Sequence, residues 1–212
     1  MRAVSVLQQT YETVLSRAAP ADFLPALLLR LYLAPVFWMA GWNKFNSFDA
    51  TVEWFGNAQW GLGLPLPWLM AALATAAELG GAVLLLLGLG VRLIALPLMV
   101  TMLVAMFAVH WENGWLAIAE ARGLFATERT MAASEQLAAA KDLLREHGDY
   151  AEITSSGSLV MLNNGIEFGA TYFVMLLSLF FTGAGRWFSL DYWLARRMGS
   201  SVASRAGVPA YS

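Results

Sequence analysis

The chain has 212 residues, 58% of them hydrophobic and only 13% charged, with a mean hydropathy of +0.57. A soluble domain carries roughly a quarter charged residues, so this composition reads as a multi-pass membrane protein. The net charge of −2 gives no field for nucleic acid, and the absence of cysteine excludes disulfides, thiol redox chemistry, thiolate metal sites and palmitoylation.

In the opening segment, residues 1–22, Val4, Leu7, Tyr11, Val14, Leu15 and Ala18 recur at helical spacing. That pattern predicts an amphipathic helix on the membrane surface, without the apolar core of a cleaved signal peptide. A membrane bundle is expected over 23–194, with spans at 24–45, 66–88, 92–111 and 165–183. Pro35 and Pro97 fall inside spans one and three and should bend them. Between spans one and two, Ser47 is placed to cap a short helix from Phe48 to Phe55, with Trp54 and Phe55 as interfacial anchors. The link Gly88-Leu89-Gly90-Val91 is short enough to force spans two and three into an antiparallel hairpin. The insertion at 112–164 predicts a helix with Thr127 as its N-cap and Gly148 as its stop. Ala133, Leu137, Ala140, Leu144 and His147 line one side of it, too weakly apolar to span a bilayer. Residues 195–212 read as a flexible tail. The expected fold is therefore all-α: a four-transmembrane-helix bundle, an N-terminal amphipathic interfacial helix and an extramembrane helical insertion between spans three and four.

Arginines in the short flanks, among them Arg2, Arg17, Arg92, Arg186, Arg196 and Arg197, place both termini in the cytoplasm and the insertion outside. Trp38, Trp42, Trp54, Trp60, Trp68, Trp111 and Trp115 gather toward the outer face, as an aromatic belt or as the wall of a binding pocket.

Ionisable groups inside a span are costly and usually face a partner, a cavity or a pathway. Glu78 lies near the middle of span two. Counting about 1.5 Å per helical residue puts Arg30 roughly 9 Å, and Glu78 roughly 12 Å, from the cytoplasmic face. The matched depths predict a buried ion pair, Arg30–Glu78, which fixes helix register or carries protons. A second polar layer lies near the outer surface: Lys44, which could instead snorkel to the interface, with His110, Glu112, Asn163, Asn164 and Glu167. Asn164, Glu167, Thr171, Ser178 and Thr182 recur along span four and are expected to face the bundle interior. His110 reads as an interfacial histidine or as a ligand or proton carrier. One imidazole with two carboxylates is a thin donor set, and no metal site is assigned. His147 reads as solvated, and Met99, Met102 and Met106 as packing. Gly80, Gly81 and the pair Gly165–Gly169 provide small surfaces for close helix contact.

Arg30 followed by Gly41 and Lys44 resembles the first-span pattern of the DoxX/DoxD family. Glu78-Leu79-Gly80-Gly81 through Gly88-Leu89-Gly90-Val91-Arg92 resembles that family's hairpin. Gly183-Ala184-Gly185-Arg186-Trp187-Phe188-Ser189-Leu190-Asp191 resembles its closing segment, with Ala184 where proline is common. The resemblance covers residues 24–111 and 163–194. It implies a four-helix membrane bundle in a bacterial inner membrane, and membership of a redox complex such as a thiosulfate:quinone oxidoreductase.

The function expected is a membrane subunit of a multi-protein, quinone-linked electron-transfer complex. Arg30, Lys44, Glu78, His110, Glu167, Trp38, Trp42, Asn164 and Thr171 are its candidate binding residues, and His110, Glu167 and Glu78 its candidate proton-handling groups. No covalent cofactor is expected; a quinone, membrane lipid and protein partners are. Two alternatives remain open: a non-catalytic scaffold for a partner enzyme, and a small protein that handles a metal or small molecule.

Overall fold

The computed structural model describes residues 2–199, so the expected tail lies outside the described residues from Ser200 onward, as does the side chain of Val4. Among the described residues the chain is helical, with no strand; one isolated antiparallel bridge joins Ile118 to Leu162. The helices are α1 (Arg2–Ala18), α2 (Leu24–Asn46), α3 (Phe48–Gly56), α4 (Pro67–Leu87), α5 (Val91–Val104), α6 (Glu128–His147), α7 (Tyr150–Ile153), α8 (Glu167–Thr182) and α9 (Leu190–Arg197). A 3-10 turn, Ala19–Ala21, follows α1. After α5 the helix continues through a π-helical stretch, Ala105–His110, and a 3-10 turn, Trp111–Asn113.

Among the described residues, three helices are long and apolar enough to cross a membrane: Leu24–Asn46, Pro67–Leu87 and the continuous run Val91–Asn113. The fourth expected span is a shorter apolar helix, α8, of 16 residues. At about 1.5 Å per residue it covers some 24 Å, less than a core of about 30 Å. Its predicted start at Gly165 is taken by loop instead: Gly165, Ile166 and Glu167 donate backbone hydrogen bonds to Leu116, Gly114 and Trp115.

The chain forms two compact units. One comprises the chain up to Met99 and from Met175, the other Val100–Val174. In the first, α2 packs principally on α4. Gly41 of α2 sits so close to α4 that a Cβ would lie 2.8 Å from Leu79 Cγ and 3.1 Å from Glu78 Cβ. Leu33, Phe37, Ala71, Leu85, Val91, Leu98, Leu176 and Leu179 fill the core. α2 and α5 run unbroken through Pro35 and Pro97. The α4–α5 hairpin forms as its short link requires, with Gly88 and Gly90 both at positive φ.

Several local expectations are corrected. Ser47 precedes α3 but its side chain makes no capping bond; its carbonyl accepts from Thr51. Phe55 is buried rather than an interfacial anchor, because α3 packs on α4. Residues 195–197, expected in the tail, close α9, and Ala195 is buried. The tyrosine and aliphatic side chains of α1 that are described, Leu7, Tyr11, Val14 and Leu15, are exposed, leaving that helix with an uncovered apolar face.

The second unit holds the insertion. Thr127 caps α6 by a reciprocal capping box with Thr130, as Thr at this position favours. Gly148 ends α6 in extended rather than left-handed backbone. Leu137 and Leu144 are half-buried, while Ala140 and His147 are exposed. Buried Asn163 ties the connecting loops together. Its amide donates to Asn113 O and Leu116 O, and its carbonyl accepts from Arg129 Nε at 3.1 Å.

Candidate functional site

Gly41 and Glu78 meet where α2 and α4 cross, and Lys44 lies one turn further along α2. Helical side chains lean back toward the helix N-terminus, so Lys44 reaches down to the level of Gly41. There Lys44 Nζ donates to both oxygens of Glu78, at 3.0 Å to Oε1 and 2.7 Å to Oε2. The Glu78 side chain is only 4% exposed, that of Lys44 27%. A lysine ammonium has three donors, and two are engaged here; the third points to no acceptor among the described residues. On the same turns of α2, Trp38 stacks on Trp42 at 5.9 Å and Trp42 on Phe45 at 5.7 Å, half-exposed on the adjoining face.

The expected Arg30–Glu78 pair does not form. Arg30, fully buried, gives its guanidinium to four backbone carbonyls: Leu85 at 2.7 Å, Leu86 at 3.1 Å, Ala184 at 2.7 Å and Phe188 at 3.0 Å. The register explains the difference. With Gly41 against Glu78 on antiparallel helices, Arg30 falls beside the end of α4, seven residues beyond Glu78. Counting depth from span boundaries could not see this. The last carbonyls of a helix have no intrahelical partner and carry a partial negative charge, so they satisfy a cation without a carboxylate.

Asp191 completes this junction. Its two oxygens accept from Gly90 N at 2.8 Å and Val91 N at 3.2 Å, capping α5, and its own N–H donates to Gly88 O. Arg30 thus holds the outgoing end of α4 while Asp191 holds the incoming end of α5. Gly88 permits the approach: a Cβ there would lie 2.6 Å from both Arg30 Nη2 and Ser189 Cβ. The sequence marks Asp191 only as the end of the closing segment and assigns it no role. The signal available was the bare N–H groups opening α5, which need an acceptor that the link itself lacks.

The outer-layer residues in the second unit serve separate tasks. Glu167 Oε2 accepts from Ala117 N at 2.9 Å, and no hydrogen bond joins it to His110. His110 ends the π-helical stretch with its Nδ1 buried and without a hydrogen-bond partner among the described residues. Asn164 adopts positive φ, donates its N–H to Ala117 O and accepts from Asn113 Nδ2. The span-four stripe is corrected: Thr171, Ser178 and Thr182 are exposed, whereas Leu176 and Leu179 on the other side are fully buried. Thr171 and Thr182 donate their hydroxyls to the carbonyls of Glu167 and Ser178 one turn back. A hydroxyl satisfied on its own helix no longer needs the bundle interior.

The segment that carries Arg30, Gly41, Lys44, Glu78, Gly88 and Arg92 decides the relationship, because residues 26–111 match the DoxX family. The chain carries a DoxX segment. With its apolar helices, this makes it an integral membrane protein in contact with lipid. The chain is also similar to a Bacillus subtilis (strain 168) protein named "Putative oxidoreductase CatD", 31% identical over 94 residues. That similarity covers 44% of this chain and 66% of the relative, just under two thirds of its length. No solved structure matches the chain.

Proposed function

We propose that this DoxX protein is a membrane subunit of a redox complex, with a quinone-binding position beside the Lys44–Glu78 pair. The observation that carries this reading is the unengaged third donor of Lys44, on a partly exposed ammonium held in place by a buried carboxylate. Such a donor suits a quinone carbonyl, and Glu78 is placed to take or supply the proton that quinone chemistry needs. The Trp38–Trp42–Phe45 stack offers flat apolar surface of the kind a quinone ring packs against. The oxidoreductase named among its relatives supports the same class. The sequence has no motif for haem, flavin or an iron–sulfur cluster, so electrons would come from a partner subunit. His110, with its unpartnered nitrogen, is a second candidate proton carrier.

The test is gentle detergent purification from native expression, with identification of co-purifying proteins and extracted quinone. Quinone-linked turnover of the complex is then compared with Glu78→Gln and Lys44→Met. Loss of turnover of about 100-fold in both variants is expected. Full turnover in both, or a preparation without quinone and without a redox partner, overturns the reading.

A second reading, a scaffold for a partner enzyme, draws on the insertion, where Leu124, Leu143, Val160 and Leu162 are exposed. Exposed apolar side chains outside a membrane span suit protein docking. Deletion of 125–150 should then abolish co-purification of the partner.

A further inference from the structure

At the end of the first unit opposite Lys44 lies a groove of about 550 Å3 between the start of α2, the start of α5, the end of α8 and α9. Its walls are largely apolar, with Ala26, Leu29, Leu93 and Leu194, and Ser178 and Thr182 stand at one side. A volume of this size is in the range that holds a small ligand. It is also placed at the level where membrane stretches end. The candidate spans begin at Leu24 and Val91, and the shorter apolar helix finishes at Thr182. Lipid phosphates lie at that level.

The charges around the groove can be sorted by partner. Arg186 is paired with Asp22 at 2.7 Å. Asp191, also in the lining, has its two oxygens held by the N–H groups of Gly90 and Val91. Arg92 remains. It donates once, from Nη2 to Phe181 O at 3.1 Å, and has no carboxylate partner among the described residues. A guanidinium has five donors. A role limited to capping α8 would use one of them and leave the apolar groove beside it without explanation.

We propose that this groove binds an anionic phospholipid, with the phosphate on Arg92 and an acyl chain along Leu29 and Leu93. An arginine without a carboxylate partner over an apolar cleft between membrane helices is the arrangement that retains acidic head groups, and one such cation contributes about a five-fold preference. A soluble phosphate ester would meet the same arginine but would gain nothing from the apolar walls. The site is independent of the quinone position. Arg92 and Lys44 lie at opposite ends of the helices, and Lys44 and Glu78 play no part in it.

The experiment uses the full chain, delipidated in mild detergent and mixed with phosphatidylglycerol, phosphatidylcholine or inorganic phosphate at equal concentration. Bound lipid is counted by native mass spectrometry, and melting temperature is recorded. The wild type is expected to retain phosphatidylglycerol about five-fold over phosphatidylcholine. Arg92→Gln, which keeps a donor for Phe181 O, should bring the two to parity, while Arg145→Gln on exposed α6 should leave the preference intact. Ser178→Trp should fill the groove from its exposed side and remove bound lipid with Arg92 still present. Retention of the five-fold preference in Arg92→Gln overturns the proposal, as does full lipid occupancy in Ser178→Trp. Displacement of lipid by inorganic phosphate would show a phosphate site rather than a lipid one and overturn it too. Should Arg92→Gln not fold, Ser178→Trp decides the question.

Discussion

Lys44 bonds both oxygens of Glu78, although the two residues belong to different helices and Lys44 lies about a turn beyond Gly41, where a Cβ would come 3.1 Å from that of Glu78. A mostly buried carboxylate is thereby held by a cation that still reaches partly to the surface. Removing one partner of such a pair is far more damaging than removing both, because the survivor is left charged and uncompensated. Lys44→Met should destabilise the protein by about 3 kcal/mol, and Lys44→Met combined with Glu78→Leu should recover most of that loss. Reversible unfolding in detergent measures all the terms of this double-mutant cycle; strictly additive losses would show that the two side chains do not act as a pair.

Arg30 serves four carbonyls with a planar fork, a task that lysine's three donors on a single nitrogen cannot reproduce. Arg30→Lys is expected to lower stability by about 3 kcal/mol, the worth of one or two charge-assisted hydrogen bonds in a buried site. The check is the melting temperature in detergent. A shift no larger than that of an exposed Arg→Lys change, such as at Arg145, would refute the four-carbonyl role.

Two glycines within membrane helices, Gly41 of α2 and Gly80 of α4, should behave oppositely. Gly41→Ala would place a methyl 2.8 Å from Leu79 Cγ and 3.0 Å from Leu79 N, forcing α2 and α4 apart. At Gly80 nothing lies within 4 Å of the added atom. Gly41→Ala should cost about 1–3 kcal/mol, whereas Gly80→Ala should be neutral or stabilising by a few tenths, since alanine is the better helix former. Equal effects would show that α2 and α4 do not approach closely at Gly41.

In the insertion, Thr127→Ala removes the cap of α6 and should cost the helix about 1 kcal/mol. Limited proteolysis reads this out as faster cleavage near the start of α6. Cleavage at the wild-type rate would show that the capping box contributes nothing to the stability of this end.

Membrane character, the three long apolar helices, the hairpin and the capped helix of the insertion were all legible in the sequence. Each rests on a local signal: apolar length, a glycine link, a threonine before a helical pattern. The partners of the charged residues were not. Depth counting locates a Cα along its own helix, but which residues meet depends on register between helices and on the lean of long side chains. That is why Glu78 was matched with Arg30 rather than Lys44. It also treats carboxylates as the natural partners of arginine and overlooks the carbonyls at a helix end, which Arg30 uses. The polar stripe of α8 misled for a related reason, because serine and threonine can satisfy themselves on the preceding turn and need not face inward.

The junction of Arg30 with the α4–α5 turn has a consequence for biosynthesis. Two of the four carbonyls that hold Arg30 belong to Ala184 and Phe188, and the cap of α5 comes from Asp191. The first three spans therefore leave the ribosome with a buried cation half satisfied and a turn without its clasp. Both wait for residues made more than 150 positions after Arg30. A chain cut short before Asp191 would hold every long membrane helix and still lack its lock, the kind of intermediate that membrane quality-control proteases can recognise and remove.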